Sequence, residues 1–377
     1  MQSDLFEADH ETYRGVVSEF VTRSVEPHLD RWNEQREIDR ETWLEAGRQG
    51  LLGLAVPEQY GGPGETDYRY RAVLQFEIAR AGASALQSGF STNDDIVLNY
   101  LLRHANDEQR TRWLPGFVTG ATIGAIAMTE PGAGSDLRGI QTKATRADGG
   151  WRITGSKTFI TSGILADLVI VFARTDESFS LFVVPDGAPG FTRGRKLDKV
   201  GLVAQDTAEL FFDNVFVPDA DVLGEIGAGL SYLKQSLPLE RLGIAIAGQA
   251  SAEAVLDWTI SYVKERTAFG QRLADFQKPA HDLAHLRTAV EVSRAYVDRC
   301  IRLHNTGDLT PVDAAKAKAW ATQLQHDVID TGVQLHGGYG YMLEYPVARA
   351  FVDARVQRIY GGANEIMMEI VAKDLLR

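Results

Sequence analysis

Apolar positions in the first third of the chain recur at helical spacing. Val16, Val17, Phe20, Val21 and Val25 share one face, and Pro27 stops or bends the run because its ring lacks an N–H and crowds the preceding turn. Ala72, Val73, Phe76 and Ala79 repeat the pattern after the turn-rich Gly61-Gly62-Pro63-Gly64. Near Ile123 the character changes. Short β-rich runs follow at Trp151–Ile160, Leu168–Ala173, Phe179–Val184 and Glu209–Val217, divided by turn residues such as Asp148-Gly149-Gly150 and Pro185-Asp186-Gly187. Strands that follow strands without helices between them predict an antiparallel barrel or sandwich rather than a doubly wound sheet. Beyond Leu223 the period is helical again. Leu324, Val328 and Leu335 mark one face of a helix that ends at Gly337-Gly338, a C-cap pair. The expected order is α, β, α, with an N-terminal helical domain at 1–122, a middle β-barrel-like domain at 123–222 and a C-terminal helical domain at 223–377.

Composition narrows the function. The 377 residues are 44% hydrophobic and 24% charged, which is ordinary globular usage and argues against disorder. Lys+Arg of 39 against Asp+Glu of 51 leaves a net charge of −12, so no overall field draws in nucleic acid or anionic lipid. The single cysteine, Cys300, excludes an intrachain disulfide and any Cys-rich metal centre, and suits a reducing, cytoplasmic compartment. The segment Met1–His10 is polar and acidic, without the apolar core of a secretory signal. No run approaches the ~18 apolar residues of a membrane span.

Three partial motifs fail. Gly150 to Thr158 resembles a P-loop, but one residue too many separates Gly155 from Lys157, and the run sits inside a β segment. Gly132-Ala133-Gly134 opens like a dinucleotide fingerprint, yet Leu137 stands at the third glycine position. His281 and His285 are spaced as two ligands on one helical face, but no third ligand is evident. They read as surface histidines, and no metal is expected.

Other segments carry chemistry. Ala127-Met-Thr-Glu-Pro-Gly-Ala-Gly-Ser-Asp136, closed by Gly139, fixes an irregular backbone whose Thr129, Ser135 and free N–H groups face something electron-rich. In Lys157-Thr-Phe-Ile-Thr161, Phe159 and Thr161 lie two apart on one side of a strand, so a ring can cover a flat heterocycle while a hydroxyl bonds its edge. Further on come Arg266-Thr-Ala-Phe-Gly-Gln-Arg272, Gln277, and Gln334-Leu-His-Gly-Gly-Tyr-Gly-Tyr341 with Arg349 and Asp353.

With these segments in order and correctly separated, the chain resembles the acyl-CoA dehydrogenase flavoenzymes along essentially its whole length. The resemblance implies an α+β fold of helical domain, middle antiparallel β domain and C-terminal four-helix bundle, assembled as a homotetramer with one FAD per subunit. It assigns Met128, Thr129 and Ser135 to flavin and acyl-CoA contacts. It sets Phe159 where an aromatic, often Trp, stacks on the isoalloxazine, and Thr161 at flavin N5. It implies that Arg266, Phe269, Gln277, Gln334, Gly337 and Gly338 reach the FAD of a neighbouring subunit. Asn364 and Glu365 fall at further cofactor positions, and Arg241, Tyr360 and Gly362 at the substrate.

The chemistry needs a carboxylate base near the thioester α-carbon. Many family members carry that Glu after the Tyr of the C-terminal loop, where this chain has Tyr360-Gly361-Gly362-Ala363-Asn364-Glu365. Gly361 occupies the base position, and Ala363 stands where Thr is common. The long-chain and isovaleryl branch places its base on an earlier helix, and Leu239-Glu240-Arg241-Leu242, after Pro238, fits that pattern. Glu240 is therefore the expected base, ahead of Glu365, whose position faces the cofactor. The implied reaction takes the α-proton onto Glu240 and passes a hydride from the β-carbon to flavin N5, with Gly361 N–H and a ribityl hydroxyl polarising the carbonyl. An electron-transfer flavoprotein would reoxidise the flavin. The alternatives are a flavin oxidase or hydroxylase, a dehydrogenase of acyl-carrier-protein thioesters, and an inactive flavin-binding scaffold. Gly361 leaves room for a bulkier or branched acyl group. The basic run Arg193, Arg195, Lys196 and Lys199 reads as a solvated loop, with CoA-phosphate binding the alternative.

Overall fold

The computed structural model describes residues 4–176 and 178–377. The reading of Met1–His10 therefore falls partly on positions 1–3, which lie outside the described residues. The chain opens with helices α1 (Ala8–Ser24), α2 (Leu29–Gln35), α3 (Arg40–Arg48), α4 (Tyr68–Arg80), α5 (Ser84–Ser91), α6 (Asn99–His104) and α7 (Asp107–Thr119). The α1 run stops at Ser24, and Pro27 lies in the 3₁₀ turn that follows. Between α5 and α6 the backbone winds as a π-helix over Thr92–Leu98, a form that occurs mostly as a local departure at functional sites. Trp32, Trp43, Phe20 and Phe90 fill the core of this layer.

The middle of the chain is one eight-stranded sheet: β1 (Gly124–Ala127), β2 (Lys143–Ala147), β3 (Gly150–Thr161), β4 (Leu168–Arg174), β5 (Phe179–Pro185), β6 (Phe191–Lys196), β7 (Thr207–Pro218) and β8 (Val222–Leu223). The spatial order is β6-β7-β3-β2-β4-β5-β8, with β1 paired to β4. The four sequence-predicted strands are β3, β4, β5 and β7. The other four carry no apolar run long enough to announce themselves. The sheet is not wholly antiparallel, because β1 runs parallel to β4 and one residue pair joins β2 parallel to β4. Both β4 and β5 are buried on nearly every residue, the signature of strands covered on both faces.

Helix α8 (Gly229–Glu265) begins the bundle, followed by the two-residue strands β9 (Thr267–Ala268) and β10 (Gln271–Arg272) of a hairpin. Then come α9 (Gln277–Asn305), α10 (Pro311–His336), α11 (Pro346–Ala354) and α12 (Asn364–Leu375). Helix α10 ends at the Gly337 cap the sequence marks. Pro238 neither starts nor ends α8; more than two turns precede it, because the helix is held by burial of one side after another rather than by local propensity. Among the described residues no helix is long and apolar enough to cross a membrane.

Candidate functional site

Glu240 lies on α8 with 4% of its surface exposed. Burial pushes its carboxyl up to about 7, against the opposing pull of a hydrogen bond from Tyr100 and of the Arg241 charge. The Tyr100 hydroxyl donates to Glu240 Oε1 at 3.1 Å. Tyr100 sits on α6 directly after the π-helical segment. Sequence reasoning passed over it; a lone tyrosine among apolar neighbours has no local signal.

The Tyr360–Asn364 loop comes up against this face of α8. Gly361 and Gly362 both have positive φ, 62° and 94°, a pair of left-handed conformations that glycine adopts without a Cβ penalty. A Cβ on Gly361 would clash with Cδ1 of Ile244, one turn beyond Glu240. The two turn carbonyls are held from the bundle. Arg241 Nε donates to Gly361 O at 3.2 Å, and Lys318 Nζ on α10 donates to Gly362 O at 2.8 Å and Asn364 Oδ1 at 2.9 Å. Lys318 has no exposed surface, and burial together with the Arg241 charge pushes its ammonium down to about 7. Among the described residues the N–H groups of Gly361 and Gly362 donate to no protein acceptor. Asn364 is thus tied into the framework, accepting from Lys318 and exchanging hydrogen bonds with Thr322. Tyr360 is half-buried and Glu365 exposed on the first turn of α12.

The second group comes from the sheet. Thr158 N–H donates to Thr129 O at 2.9 Å, and Lys157 Nζ donates to Met128 O at 3.0 Å, stitching the 127–139 loop to β3. Glu130 pins the loop from inside, accepting from Gln141 N, Thr142 N and Lys157 Nζ within 2.6–2.9 Å. Burial works against its charge, but those donors outweigh it and hold the carboxyl below its ordinary range. Glu130 and Lys157 hold this loop in place, and sequence reasoning did not single them out. Strand β3 does not alternate regularly here. Its pairing with β7 slips between Lys157 and Ile160, and Phe159 in the slip has φ 59° and 68% exposure. Ile160 is buried and Thr161 half-buried, so alternation resumes after the bulge. Met128 packs on the apolar cluster that contains Tyr100 and Leu233, which brings this loop to the Glu240 end of α8. Ser135 is exposed at the loop tip.

A third group lies elsewhere. Arg266, at the C-cap of α8, places its guanidinium 5.8 Å from the centroid of the Tyr339 ring. Tyr262 stacks on His336 at 4.1 Å and donates to its carbonyl. Phe269, at the tip of the β9–β10 hairpin, is 97% exposed with φ 52°. Gln277, Gln334, Gly337 and Gly338 are exposed in the same elements. Glu240 and Arg266 are 26 residues apart on one helix line, about 39 Å at the rise of an α-helix. One copy of the chain does not bring the two groups together.

The basic run has internal partners. Arg193 pairs with Asp186 and donates to Gly163 O, Arg195 faces Asp198, Lys196 pairs with Glu37, and Lys199 donates to Thr207 Oγ1 and Gln205 O. Each cation thus has a partner within the fold, and Arg193, Arg195 and Lys196 lie on β6 rather than in the solvated loop the sequence suggests, because the segment pairs with β7. Arg349 pairs with Asp30, and Asp353 accepts from Leu202 N–H, which makes both framework residues. His281 and His285 lie exposed on α9.

Three family models cover the chain: the N-terminal domain of acyl-CoA dehydrogenase at residues 7–121, the middle domain at 125–215 and the C-terminal domain at 227–376. The mitochondrial long-chain specific acyl-CoA dehydrogenase of Sus scrofa is 46% identical over 99% of this chain and 87% of its own length. A crystal structure of acyl-CoA dehydrogenase from Geobacillus kaustophilus superposes with a TM-score of 0.96 at 43% identity, covering 99% of this chain and 100% of that one. The Bacillus anthracis acyl-CoA dehydrogenase complexed with FAD gives a TM-score of 0.93 at 30% identity, over 99% of this chain and 67% of that one.

Proposed function

The chain belongs to the acyl-CoA dehydrogenase family, FAD-dependent oxidoreductases of acyl-CoA thioesters, and we propose that Glu240 is its catalytic base. The observation that carries this reading is the pairing of a buried carboxyl with Gly361. The position that bears the base in much of the family has no side chain here, and Ile244 fills the space one would occupy. Glu240, one turn earlier on the same helix, is the carboxylate available to that space.

The residues present fit FAD. Phe159 is held in a left-handed conformation with most of its ring outside the protein, a cost of roughly 1–3 kcal/mol that is offset when a flat ring covers it. Thr161, Met128, Thr129 and Ser135 belong to the same face and loop. When bound, FAD supplies the two-electron acceptor for the substrate's β-carbon–hydrogen bond. The chain supplies the rest. Gly361 N–H, without a protein acceptor, polarises the thioester carbonyl and makes the α-hydrogen acidic. Glu240 Oε takes that proton. Its raised pKa matches it to a weak carbon acid near neutral pH. Arg241, Tyr360 and Gly362 shape the substrate side, and Asn364 and Glu365 the cofactor side. The apolar cluster around Tyr100 and Leu233, on the Glu240 side of α8, keeps water from the base.

The Arg266, Phe269, Gln277, Gln334, Gly337 and Gly338 group completes the site of another subunit in a homotetramer. Its distance from Glu240 and the exposure of Phe269 support that reading. An electron-transfer flavoprotein is the proposed acceptor, and a reducing cytoplasmic setting accords with the one buried cysteine.

The test is anaerobic: mix holoenzyme with straight-chain and branched acyl-CoAs and follow flavin absorbance, with Glu240→Gln alongside. Bleaching in the wild type and none in the variant is the expected result, and the panel names the substrate. A flavin bleached only by acyl-carrier-protein thioesters changes the carrier. Rapid peroxide formation in air identifies an oxidase, and a flavin that no thioester bleaches identifies a scaffold.

A further inference from the structure

A lysine with no exposed surface is rare, because its ammonium loses water and needs strong partners in return. Lys318 is such a residue; the Glu365 charge reaches it, but its hydrogen bonds go to neutral oxygens. Its two acceptors, Gly362 O and Asn364 Oδ1, both belong to the loop that faces Glu240. Arg241 holds the preceding carbonyl, Gly361 O. A pair of cations from two helices thus grips successive carbonyls of a turn that has two left-handed glycines and no backbone hydrogen bond of its own at those N–H groups. In a trans peptide C=O and N–H point in opposite directions. Arg241 at Gly361 O therefore sets the plane that carries Gly362 N–H, and Lys318 at Gly362 O sets the plane of Ala363 N–H. Gly361 N–H belongs to the preceding Tyr360 plane, and it is held through the Gly361 Cα from which the first anchored plane starts. An apolar residue at position 318 would fill the same volume of core at less cost, so packing alone does not explain the charge.

We propose that Lys318 is a positioning residue of the reaction: with Arg241 it fixes the Gly361–Gly362 turn so that Gly361 N–H is held in register with Glu240 at the thioester carbonyl. The proposal rests on the reading of Gly361 N–H as a carbonyl donor. Lys318 acts on this turn through Gly362 and does not touch the substrate.

The experiment uses FAD-loaded Lys318→Met, Lys318→Gln and Glu240→Gln with two readouts. The first is steady-state kcat and KM for the best acyl-CoA of the panel. The second is a 3-oxoacyl-CoA that enolises on the enzyme without being dehydrogenated; its enolate absorbance is titrated against pH. Lys318→Met is expected to lower kcat by about 100-fold, the scale of a misplaced oxyanion donor, with KM within about threefold. The apparent pKa of the bound probe should rise by about 1–2 units as the donor is lost. Lys318→Gln, whose amide can still donate to Gly362 O, should recover part of both. Glu240→Gln should lose turnover while keeping the probe's lowered pKa, which separates the donor from the base. Lys318→Met with wild-type kcat and wild-type enolisation overturns the proposal, as does a loss of folded holoenzyme in both Lys318 variants. A wild-type enzyme that turns over acyl-CoA without lowering the probe's pKa overturns the donor reading beneath it.

Discussion

The Tyr100 hydroxyl donates to Glu240 Oε1 at 3.1 Å, joining α6 of the N-terminal layer to α8 of the bundle. Two domains meet at one oxygen of one carboxyl. The π-helical turn before α6 sets where Tyr100 emerges, since a wider turn shifts the phase of every residue after it. The bond favours the ionised form of a group that burial otherwise keeps protonated.

Replacing Glu240 with Gln is expected to lower kcat by about 10³-fold, within the range for loss of a positioned base. In the wild type kcat/KM should fall about tenfold per pH unit below about 7, because Glu240 must be ionised to accept a proton. Rapid anaerobic reduction measured from pH 5 to 9 checks both.

The same raised pKa has a stability consequence. Folded Glu240 holds its proton to about 7 and an unfolded carboxyl to about 4.5. Its contribution is therefore full below 4.5 and lost as pH rises through about 7. Glu240→Gln should exceed the wild type in stability at pH 8 by on the order of 3 kcal/mol, and match it near pH 4.5. Denaturant unfolding at the two pH values measures the difference.

Tyr100→Phe removes the donor and leaves the ring. The inflection of kcat/KM should move alkaline by about 0.5–1 unit, the equivalent of one hydrogen bond of about 1 kcal/mol. At pH 9 the variant should be within a few-fold of the wild type. An unmoved inflection would show that the bond does not tune the base.

Phe159→Ser removes an exposed ring held at positive φ. Thermal stability of the apoprotein should change by no more than about 1 kcal/mol, while FAD is lost on gel filtration where the wild type retains it. A thermal melt of the apoprotein reads the first, and flavin absorbance of the eluted protein reads the second.

Separation of the Glu240 and Arg266 groups makes subunit complementation a direct test. Arg266→Ala and Glu240→Gln chains should each be inactive alone. Unfolded together and refolded as mixed oligomers, they should regain about a quarter of wild-type activity, because random assembly gives that share of sites an intact base and an intact partner arginine. No recovery places both residues in one subunit's site.

Much of this was legible in order along the chain. Helical spacing at Val17, Phe20 and Ala72–Ala79, and the runs of β3, β4, β5 and β7, carry their own period, so the α, β, α layout could be read from them. So could the 127–139 loop, the Phe159 segment and the Leu239–Leu242 tetrapeptide, because backbone-shaping glycines and chemical side chains stand close together in sequence. What could not be read involves partners distant in sequence. Strand β1 runs parallel to β4 although β2 and β3 lie between them in the chain. The β3 bulge that exposes Phe159 is set by its mismatch with β7, 50 residues on. Tyr100, Lys318 and Glu130 gain their roles from carbonyls and carboxyls that the folded chain brings to them. Residue type and spacing determined the family and the candidate base; tertiary packing decided how that base is buried, which cations hold the loop opposite it, and which groups stand too far away to serve the same site.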